Sequence, residues 1–370
     1  MKPRPAARVG DPVQAIDTPT LVLDLDVFER NLARMTQAMA GHSIRLRPHA
    51  KSHKCVEIAR RQIAAGAVGI CCQKVSEAAP FVAAGISDVL ITNQIVGERK
   101  LEALVGLSRQ ARIGVLVDDP VQLELLAGAV ARHGGQLDVY VEIDVGSKRC
   151  GTDAAGAVHL AVAIQRHDRL RFAGLHAYQG KAQHLRTVAE RDAAIATATL
   201  TASRVREAII REGIQVPIIT GAGTGTFTRE RDSGVYDEIQ PGSWVFMDTD
   251  YAANAWGAGE PLFEHSLFVL STVISRPAPE RAVVDAGLKA LSVDSGMPSV
   301  WDRTDLRYER ASDEHGVVAL PEDARVVIGD RLFLVPGHCD PTVNLYDEFV
   351  CVRGGRVEAI WPVDARGALL

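Results

Sequence analysis

The sequence lacks the features that mark membrane-bound, secreted and nucleic-acid-binding proteins. Its 370 residues contain no apolar run near the roughly 20 residues that span a bilayer, and residues 1–5 lead into no apolar signal core. The 6 cysteines are scattered and two are adjacent, which argues against a disulfide framework. The net charge is -5 and no basic stripe interleaves with aromatic residues, which disfavours nucleic acid and anionic membranes. We therefore expect a cytoplasmic protein whose partner is a small molecule, with neither a nucleic acid nor a membrane as partner.

A dinucleotide-binding signature is also missing. A doubly wound sheet would carry a complete G-x-G-x-x-G turn directly after its first strand, and no such turn occurs there. The Gly-rich turn of this chain, Gly221-Ala222-Gly223-Thr224-Gly225-Thr226, follows a much later predicted strand and lacks the third glycine at the required spacing. In an α/β barrel, the loops after the last strands often hold phosphate groups.

Strand-like and helical segments alternate regularly through the first two thirds of the chain. After a leader that we predict to be unstructured, the predicted strands cover residues 20–25, 44–48, 68–73, 88–92, 113–118, 138–144, 170–177, 217–220 and 243–247. Segments with helical periodicity separate them, and this repetition is the signature of a (β/α)₈ TIM-type barrel, which we place at residues 28–250.

The predicted secondary structure changes beyond residue 250, where long helical segments give way to strand-like segments. These strand-like segments cover residues 267–274, 281–285, 325–327, 331–335, 349–352 and 357–361, and Gly354-Gly355 between the last two is a hairpin signal. The sequence therefore predicts an α/β protein whose barrel is followed by an antiparallel β domain at residues 251–370. We expect a strand within residues 1–27 to join this second domain.

A lysine stands at the carboxyl end of the second predicted strand. The segment Arg47-Pro48-His49-Ala50-Lys51 places Lys51 at the mouth of the predicted barrel, where partial desolvation lowers the pKa of an amine and frees it to attack an aldehyde. His49 is expected to point to the same side because alternate residues of an extended segment do so. The plain alternative is a solvated loop cation, since Lys54 lies close by.

Other strand ends carry groups that suit a phosphorylated cofactor. The Gly-rich turn offers backbone N–H groups and the hydroxyl of Thr224, and Gly242-Ser243 supplies a second small corner for a phosphate. Ordinary tight turns would have the same composition. The remaining cofactor candidates at strand ends are the amide of Gln73, the guanidinium of Arg149 and the phenol of Tyr178. For these, the alternatives are a helix-start residue, a loop arginine and a core tyrosine.

An imidazole and a carboxylate lie close together in Pro336-Gly337-His338-Cys339-Asp340-Pro341-Thr342, directly after an apolar strand. In an extended segment His338 and Asp340 would project to one side and converge on a divalent cation, while Cys339 would point away. A pair of protein ligands suits an open, weakly held Mg²⁺, Mn²⁺, Ca²⁺ or Zn²⁺ better than a closed zinc site. The alternative is a turn-forming aspartate beside a surface histidine.

As a set, these motifs resemble those of the D-threonine aldolases, pyridoxal-phosphate enzymes of the alanine racemase fold type that are related to D-serine dehydratase and 3-hydroxy-D-aspartate aldolase. The resemblance covers nearly the whole chain, from residue 17 to residue 367. It is carried by Thr18-Pro19-Thr20-Leu21-Val22-Leu23-Asp24, Arg47-Pro48-His49-Ala50-Lys51, Cys71-Cys72-Gln73-Lys74-Val75-Ser76-Glu77-Ala78, Gly223-Thr224-Gly225, Gln240-Pro241-Gly242-Ser243, Val284-Asp285-Ala286-Gly287-Leu288-Lys289, Asp313-Glu314-His315-Gly316 and Gly337-His338-Cys339-Asp340-Pro341-Thr342.

The resemblance implies a role for each matching residue. Pyridoxal 5′-phosphate is expected on Lys51 as a Schiff base, with contacts from Arg149, Tyr178, Gly223, Thr224, Gly242 and Ser243, to which we add Gln73 and Gly225 from their positions. A divalent metal is expected on His338 and Asp340, with Mn²⁺ or Mg²⁺ favoured by the hard oxygen ligand. The family is usually dimeric, which implies a homodimer in which the partner's β domain completes each active site.

The implied reaction is retro-aldol cleavage of a D-3-hydroxy amino acid, in which D-threonine gives glycine and acetaldehyde. Lys51 and His49 are the expected catalytic residues, with His49 or a water molecule as the base. Cleavage of 3-hydroxy-D-aspartate to glycine and glyoxylate is one alternative, and a D-serine or 3-hydroxyaspartate dehydratase is another. In the dehydratases that this family resembles, the metal ligands are a His-x-Cys pair. This chain has Asp340 at the second position, so the resemblance favours the aldolase. A non-catalytic pyridoxal-phosphate carrier of barrel type would lack the appended β domain.

Overall fold

The computed structural model of the protein describes residues 5–370, so the first four residues of the predicted leader lie outside the described part. The rest of the leader is not unstructured, contrary to the prediction. The amide of Gly10 donates to the carbonyl of Val357 at 2.8 Å, and the amide of Val13 donates to the carbonyl of Gly355 at 3.0 Å. Because Ile16 is also buried, this segment is held by the last strands of the chain.

The strands and helices fall into two groups along the chain. The strands are β1 (Thr20–Asp24), β2 (Arg45–Leu46), β3 (Ile70–Cys72), β4 (Asp88–Gln94), β5 (Arg112–Val117), β6 (Leu137–Glu142), β7 (Leu170–Ala177), β8 (Ile219–Gly221), β9 (Glu238–Ile239), β10 (Leu267–Ala278), β11 (Arg281–Val284), β12 (Ser299–Val300), β13 (Arg307–Ala311), β14 (Gly316–Ala319), β15 (Arg331–Val335), β16 (Glu348–Arg353) and β17 (Arg356–Pro362). The helices are α1 (Leu25–Met39), α2 (Val56–Ala64), α3 (Val75–Ala83), α4 (Glu98–Ser108), α5 (Pro120–His133), α6 (Ala154–Ile164), α7 (Val188–Arg211), α8 (Phe227–Asp232), α9 (Thr249–Ala252) and α10 (Cys339–Val343). Short 3₁₀ turns occupy Val13–Ala15, Ala50–Ser52, Lys181–His184 and Ser243–Val245.

Helix starts are set by local sequence. Asp24 ends β1 and caps α1, because its carboxylate accepts the amide of Val27 at 3.0 Å. Asp119 caps α5 in the same way, and Pro120 occupies the first helical position, where a missing N–H costs nothing. Strands β1 and β5 therefore pass into their helices within a few residues, whereas longer segments follow β2, β6 and β7.

The first sheet is a curled parallel barrel, as predicted. Its strand order is β2-β9-β8-β7-β6-β5-β4-β3, and a parallel bridge between His49 and Cys71 brings its two edges together. Apolar side chains fill the interior, and the α helices pack outside. Towards the amino ends of the strands, Arg47 bonds Glu238 at 2.9 Å and Asp88 at 2.6 Å, and all three lie in a network of ion pairs. These charges occupy the amino-terminal end, so the barrel opens at the carboxyl ends of its strands.

The second sheet is largely antiparallel and includes the first strand of the chain. Its path is β13-β14-β11-β10-β1-β16-β17, and β15 pairs with both β10 and β12. Strand β1 runs antiparallel to β10 and parallel to β16. The turn between β16 and β17 uses Gly354 at φ 55° and Gly355 at φ 75°, which is the left-handed conformation that two-residue hairpins require. The division into domains at residues 250 and 251 stays a prediction.

Three local predictions are wrong. Residues 243–247 form no strand: Ser243–Val245 is a 3₁₀ turn, and the eighth barrel strand is the preceding β9. Residues 325–327 are also not a strand, whereas β12, β13 and β14 were not predicted. Finally, the segment after β15 is not extended throughout, because α10 begins at Cys339. Within residues 5–370, no helix combines the length and apolar character needed to cross a membrane.

Candidate active site

A small cleft lies at the carboxyl ends of the barrel strands. The predicted residues His49, Lys51, Gln73, Arg149, Tyr178, Gly223, Thr224, Gly242 and Ser243 line it, together with the unpredicted Thr92, His176, Ala222, Gln240 and Tyr251. Segments from distant parts of the barrel therefore meet at one place, as the prediction of a common pocket required.

The ε-amine of Lys51 forms an ion pair with the Asp340 carboxylate, which links the barrel to the β domain. Lys51 lies in the 3₁₀ turn after β2, and Asp340 lies in the first turn of α10. Burial is the largest single influence and opposes the charged amine, but the surrounding groups, led by Asp340, together raise the pKa of Lys51 above its usual value, contrary to the lowering that the sequence predicted from desolvation. Burial likewise opposes the charged carboxylate, and Lys51 and His338 together lower the pKa of Asp340. The two charges thus stabilise each other at the edge of the cleft, whose lining residues include Lys51 but neither Asp340 nor His338.

Both ring nitrogens of His49 have partners in the protein. Nδ1 accepts the backbone amide of Lys51 at 3.3 Å, and Nε2 lies 2.8 Å from the Thr92 hydroxyl. An Nδ1 that accepts assigns the proton of a neutral ring to Nε2. Burial, followed by the charge of Lys51, holds the pKa of His49 well below its usual value. His49 is therefore a neutral imidazole at the floor of the cleft.

The opposite wall of the cleft is built around a buried glutamate. The Arg149 guanidinium lies 5.7 Å from the centre of the Tyr178 ring, and its Nη2 lies 3.8 Å from Glu142 Oε1. The Nδ1 atom of His176 approaches the same Oε1 atom at 3.4 Å. Glu142 therefore supplies the negative charge beside which the cationic Arg149 and the His176 ring are placed.

Gln73 is held by the turn that precedes α3. Its backbone amide donates to Glu77 Oε2 at 2.6 Å, and its side-chain Nε2 donates to the carbonyl of Thr92 at 3.1 Å. Its Oε1 accepts the Thr92 hydroxyl at 3.2 Å. Thr92 thus contacts both Gln73 and His49 from the end of β4.

The Gly-rich turn and the Gly242-Ser243 corner come together at one end of the cleft. A Cβ atom at Gly223 would lie 2.5 Å from Gln183 Oε1, and one at Gly242 would lie 2.9 Å from the carbonyl of His49. Both positions therefore exclude a side chain and keep the backbone close to the cleft, which fits a phosphate cradle. Thr224 Oγ1 accepts the amide of Trp244 at 3.1 Å, which joins the two corners.

Gly225, unlike Gly223 and Thr224, is not among the residues that line the cleft. Its amide donates to Gln183 Oε1 at 2.9 Å, so this N–H is already engaged inside the protein. A Cβ atom at Gly225 would lie 2.6 Å from the carbonyl of Gln183. The observed reason for this glycine is close packing against Gln183.

His338 and Asp340 lie at the start of α10, with His338 at the N-cap position. The extended alternation that was expected to align their side chains does not apply, because the helix begins between them. Asp294 Oδ2 lies 2.8 Å from His338 Nδ1, and the Cys339 thiol donates to Asp340 Oδ1 at 3.3 Å, although Cys339 was expected to point away. An imidazole and a carboxylate at one helix start are a fit donor set for a divalent cation.

A separate group of potential metal ligands occurs in residues 5–370, and the sequence did not single it out. One ligand atom from each of Asp118, Glu142 and Cys150 lies within 4.8 Å of the others. Asp118 Oδ2 already accepts the amide of Gly151 at 2.7 Å, and Asp118 Oδ1 accepts the side chain of Gln122 at 2.7 Å. These contacts make the group a hydrogen-bonded loop anchor at the ends of β5 and β6.

Sequence reasoning missed five residues that line the cleft. Thr92 and His176 are among the last residues of predicted barrel strands, so their position at strand ends was an available signal. Ala222 stands inside the Gly-rich turn, and Gln240 directly precedes the Pro241-Gly242 corner. Tyr251 had no comparable signal, because it enters the cleft from the short helix α9.

Comparisons with known proteins agree with this geometry. The family model for the alanine racemase N-terminal domain matches residues 23–250, and that for a serine dehydratase domain matches residues 266–352. The chain is 50% identical to a D-threonine aldolase from Arthrobacter sp. over 366 residues, covering 98% of this chain and 96% of the relative. It is 44% identical to a 3-hydroxy-D-aspartate aldolase from Paracoccus denitrificans over 359 residues, covering 95% and 92%. The crystal structure of a D-threonine aldolase from Filomicrobium marinum matches with a TM-score of 0.97 and 49% identity, covering 100% of both chains.

The fold and the cleft define an enzyme of the alanine racemase fold type, a class for which pyridoxal phosphate is the implied cofactor. Within that class, the chain belongs to the D-threonine aldolase family.

Proposed function

We propose that the protein is a pyridoxal-phosphate- and divalent-metal-dependent lyase that cleaves D-3-hydroxy amino acids, with D-threonine giving glycine and acetaldehyde. The observation that carries this proposal is the contact between Lys51 and Asp340. It joins the candidate cofactor lysine, which lines the cleft, to the candidate metal pair of the β domain, which adjoins it. A retro-aldol reaction needs an electron sink at Cα and a way to remove the proton of the β-hydroxyl, so both groups belong together.

The residues of the cleft fit the cofactor that the family implies. Lys51 would carry it, and the phosphate would lie in the cradle of Gly223, Thr224, Gly242 and Ser243. Arg149 would lie beside its phenolic oxygen, Tyr178 would lie near its ring, and Gln73 would bind an oxygen. Bound pyridoxal phosphate would supply the electron sink for the bond that breaks at Cα. The chain's own task is to orient the substrate so that this bond is the Cα–Cβ bond.

His338 and Asp340 would hold the divalent cation next to the substrate hydroxyl. A carboxylate oxygen beside an imidazole favours Mn²⁺ or Mg²⁺ over a softer metal, because no thiolate is among the proposed ligands. A dehydratase would use the cation to expel the hydroxyl, whereas an aldolase must retain its oxygen in the aldehyde product. The Asp340 oxygen ligand is the feature that favours the aldolase.

We propose His49 as the group that accepts the β-hydroxyl proton. Burial and the nearby Lys51 lower the pKa of His49, so the ring is neutral and able to accept a proton. Because Nε2 carries the proton of the neutral ring, the accepting atom is Nδ1, and its contact with the Lys51 amide must be exchanged for the substrate hydroxyl. The leaving aldehyde would then depart through the open mouth of the barrel.

Product analysis tests the reaction class. Purified protein with pyridoxal phosphate and Mn²⁺ is offered D-threonine and 3-hydroxy-D-aspartate separately, with the L-forms as controls. We expect glycine and acetaldehyde from D-threonine. Glycine and glyoxylate formed only from 3-hydroxy-D-aspartate would instead assign the 3-hydroxy-D-aspartate aldolase activity, and a 2-oxo acid with ammonia would reject the aldolase.

Two variants test the residue roles. Lys51→Ala should abolish the visible absorbance of lysine-bound cofactor, whereas Lys100→Ala on the exposed face of α4 should keep it. Asp340→Ala should keep the cofactor absorbance but lose turnover that depends on added metal. Full activity of the wild-type protein in excess chelator would reject the metal role.

The homodimer and the cytoplasmic location complete the proposal. The family resemblance supports a partner β domain at the mouth of each cleft, so sedimentation analysis should give twice the mass of the chain. A monomer that turns over D-threonine at full rate would reject the requirement for a partner. Cell fractionation of the source organism tests the location.

A further inference from the structure

We infer that Asp294 is a positioning residue for the metal site, in that its carboxylate fixes the ring orientation and tautomer of His338. The inference rests on the proposed function, because it takes His338 and Asp340 as the metal ligands. Asp294 Oδ2 lies 2.8 Å from His338 Nδ1 across 44 residues of sequence. The carboxylate comes from the loop between β11 and β12, and the histidine precedes α10.

The chemistry of the pair assigns the proton. A carboxylate in its usual charged form can only accept, so the Nδ1 atom of a neutral His338 must carry the hydrogen. The lone pair is then on Nε2, for which the structure gives no hydrogen-bond partner within residues 5–370. A ligand histidine whose other nitrogen donates to a carboxylate is oriented and made more basic towards its metal.

The loop that carries Asp294 is itself anchored to α10. Ser292 Oγ donates to Asp294 Oδ1 at 2.6 Å, and the amide of Ser292 donates to Thr342 Oγ1 at 3.1 Å. The Thr342 hydroxyl in turn donates to the carbonyl of His338 at 2.8 Å. Thr342 is fully buried, so this chain of bonds holds the loop and the helix start in one arrangement.

A close backbone approach reinforces this arrangement. A Cβ atom at Gly337 would lie 2.0 Å from the carbonyl oxygen of Gly296, so the loop and the segment before α10 touch directly. The side chains of His338 and Asp294 remain 27% and 52% exposed. Because solvent competes for a hydrogen bond at such exposure, the pair contributes little to stability, and its effect lies in orienting the ring.

Manganese binding to the cofactor-loaded protein tests the inference. Free Mn²⁺ is measured by electron paramagnetic resonance during a titration, so the readout does not depend on activity. Asp294→Ala should weaken Mn²⁺ binding roughly 10- to 100-fold, the usual effect of removing such a partner. Asp294→Asn should recover most of the affinity, because its amide oxygen still accepts from Nδ1. Asp323→Ala, an exposed aspartate of the same domain, should bind as the wild type does.

The outcomes separate the inference from the proposed function. Wild-type affinity in Asp294→Ala would overturn the role of Asp294, and equal losses in the Ala and Asn variants would overturn the tautomer argument. Unchanged Mn²⁺ affinity in Asp340→Ala would instead reject the metal site itself. If Asp294→Ala fails to fold, Ser292→Ala removes the 2.6 Å bond to Asp294 and is expected to weaken Mn²⁺ binding in the same direction; wild-type affinity there would contradict the inference.

Discussion

At the scale of single residues, Gln183 links the parts of the proposed phosphate cradle. Its Oε1 accepts the amide of Gly225 at 2.9 Å, and its Nε2 donates to Thr226 Oγ1 at 2.8 Å and to the carbonyl of Gln179 at 3.1 Å. Gln183 is completely buried and packs against Gly223 as well. One amide thus fixes the shape of a turn whose own glycines allow many shapes.

Removing this amide should weaken cofactor binding. Gln183→Ala leaves the Gly225 amide without its acceptor, and a buried donor without a partner costs about 1–3 kcal/mol. We therefore expect the dissociation constant for pyridoxal phosphate to rise roughly tenfold or more. Fluorescence titration of cofactor-free protein measures it, with Gln136→Ala at the opposite end of the barrel as the control. An unchanged constant would mean that the turn keeps its shape without Gln183.

Thr92 is a second residue whose hydroxyl connects two side chains of the cleft. Thr92→Val keeps the size of the side chain but leaves His49 Nε2 and Gln73 Oε1 without that hydroxyl. We expect kcat for D-threonine to fall roughly 30-fold, since each of the two lost hydrogen bonds is worth about 1 kcal/mol. Thr92→Ser, which retains the hydroxyl, should recover most of the rate. Equal losses in both variants would show that the methyl group of Thr92 matters instead.

At the scale of elements, the barrel was predictable because each strand carries its own signal. The predicted strand at 170–177 coincides with β7, and Asp119-Pro120 marks the start of α5 as helix-capping chemistry requires. The site at the strand ends follows from this pattern, because parallel strands bring their carboxyl ends to one face. Lys51, Arg149 and Tyr178 could therefore be gathered into one cleft from the sequence.

The elements that sequence reasoning missed depend on distant contacts. The amide of Cys339 donates to Asp248 Oδ2 at 3.1 Å, so the start of α10 is stabilised by a buried carboxylate far away in the chain. The prediction that residues 336–342 are extended was made without knowledge of that partner. Strand β13 has few buried residues, because one face is in solvent, and its pairing with β14 is what defines it as a strand. No local pattern carries that information.

The strand β7 depends on a glycine at its centre. Gly174 adopts φ 139°, and a Cβ atom there would lie 2.0 Å from the carbonyl oxygen of Ile218, where the backbone approaches β8. We expect Gly174→Ala to lower the free energy of unfolding by about 3 kcal/mol or more, because strain in φ adds to a backbone clash. Chemical denaturation measures the loss.

Gly66→Ala is the matched control for this prediction. Gly66 has φ 108°, but a Cβ atom there meets nothing within 4 Å. Its cost should be confined to the backbone conformation, about 1 kcal/mol. Similar losses of unfolding free energy in the two variants would show that the backbone between β7 and β8 can move to accommodate a Cβ atom at residue 174.

At the scale of the whole molecule, stability should depend on pH through a buried carboxyl group next to the cradle. Glu230 is fully buried, and its Oε1 accepts the Thr226 hydroxyl at 2.8 Å, whereas its Oε2 has no hydrogen-bond partner within residues 5–370. Burial raises the pKa of Glu230 to about 7, against hydrogen bonding from Thr226 and the charge of Arg229, which lower it. The folded protein therefore holds a proton that the unfolded chain releases at lower pH.

The sign of the effect follows from this proton. Between the ordinary glutamate pKa of 4.5 and about 7, the folded state binds more protons, so stability falls as pH rises through this window. The penalty above the window is about 3 kcal/mol, from 1.36 kcal/mol for each pKa unit. Glu230→Gln should therefore have a higher melting temperature than the wild type at pH 8, with the difference shrinking as pH falls and vanishing only below the unfolded-state pKa of 4.5. Circular dichroism melts of cofactor-loaded and cofactor-free samples measure it, with the exposed Glu102→Gln as control. Parallel curves for wild type and Glu230→Gln would mean that Glu230 is already ionised in the folded protein at neutral pH.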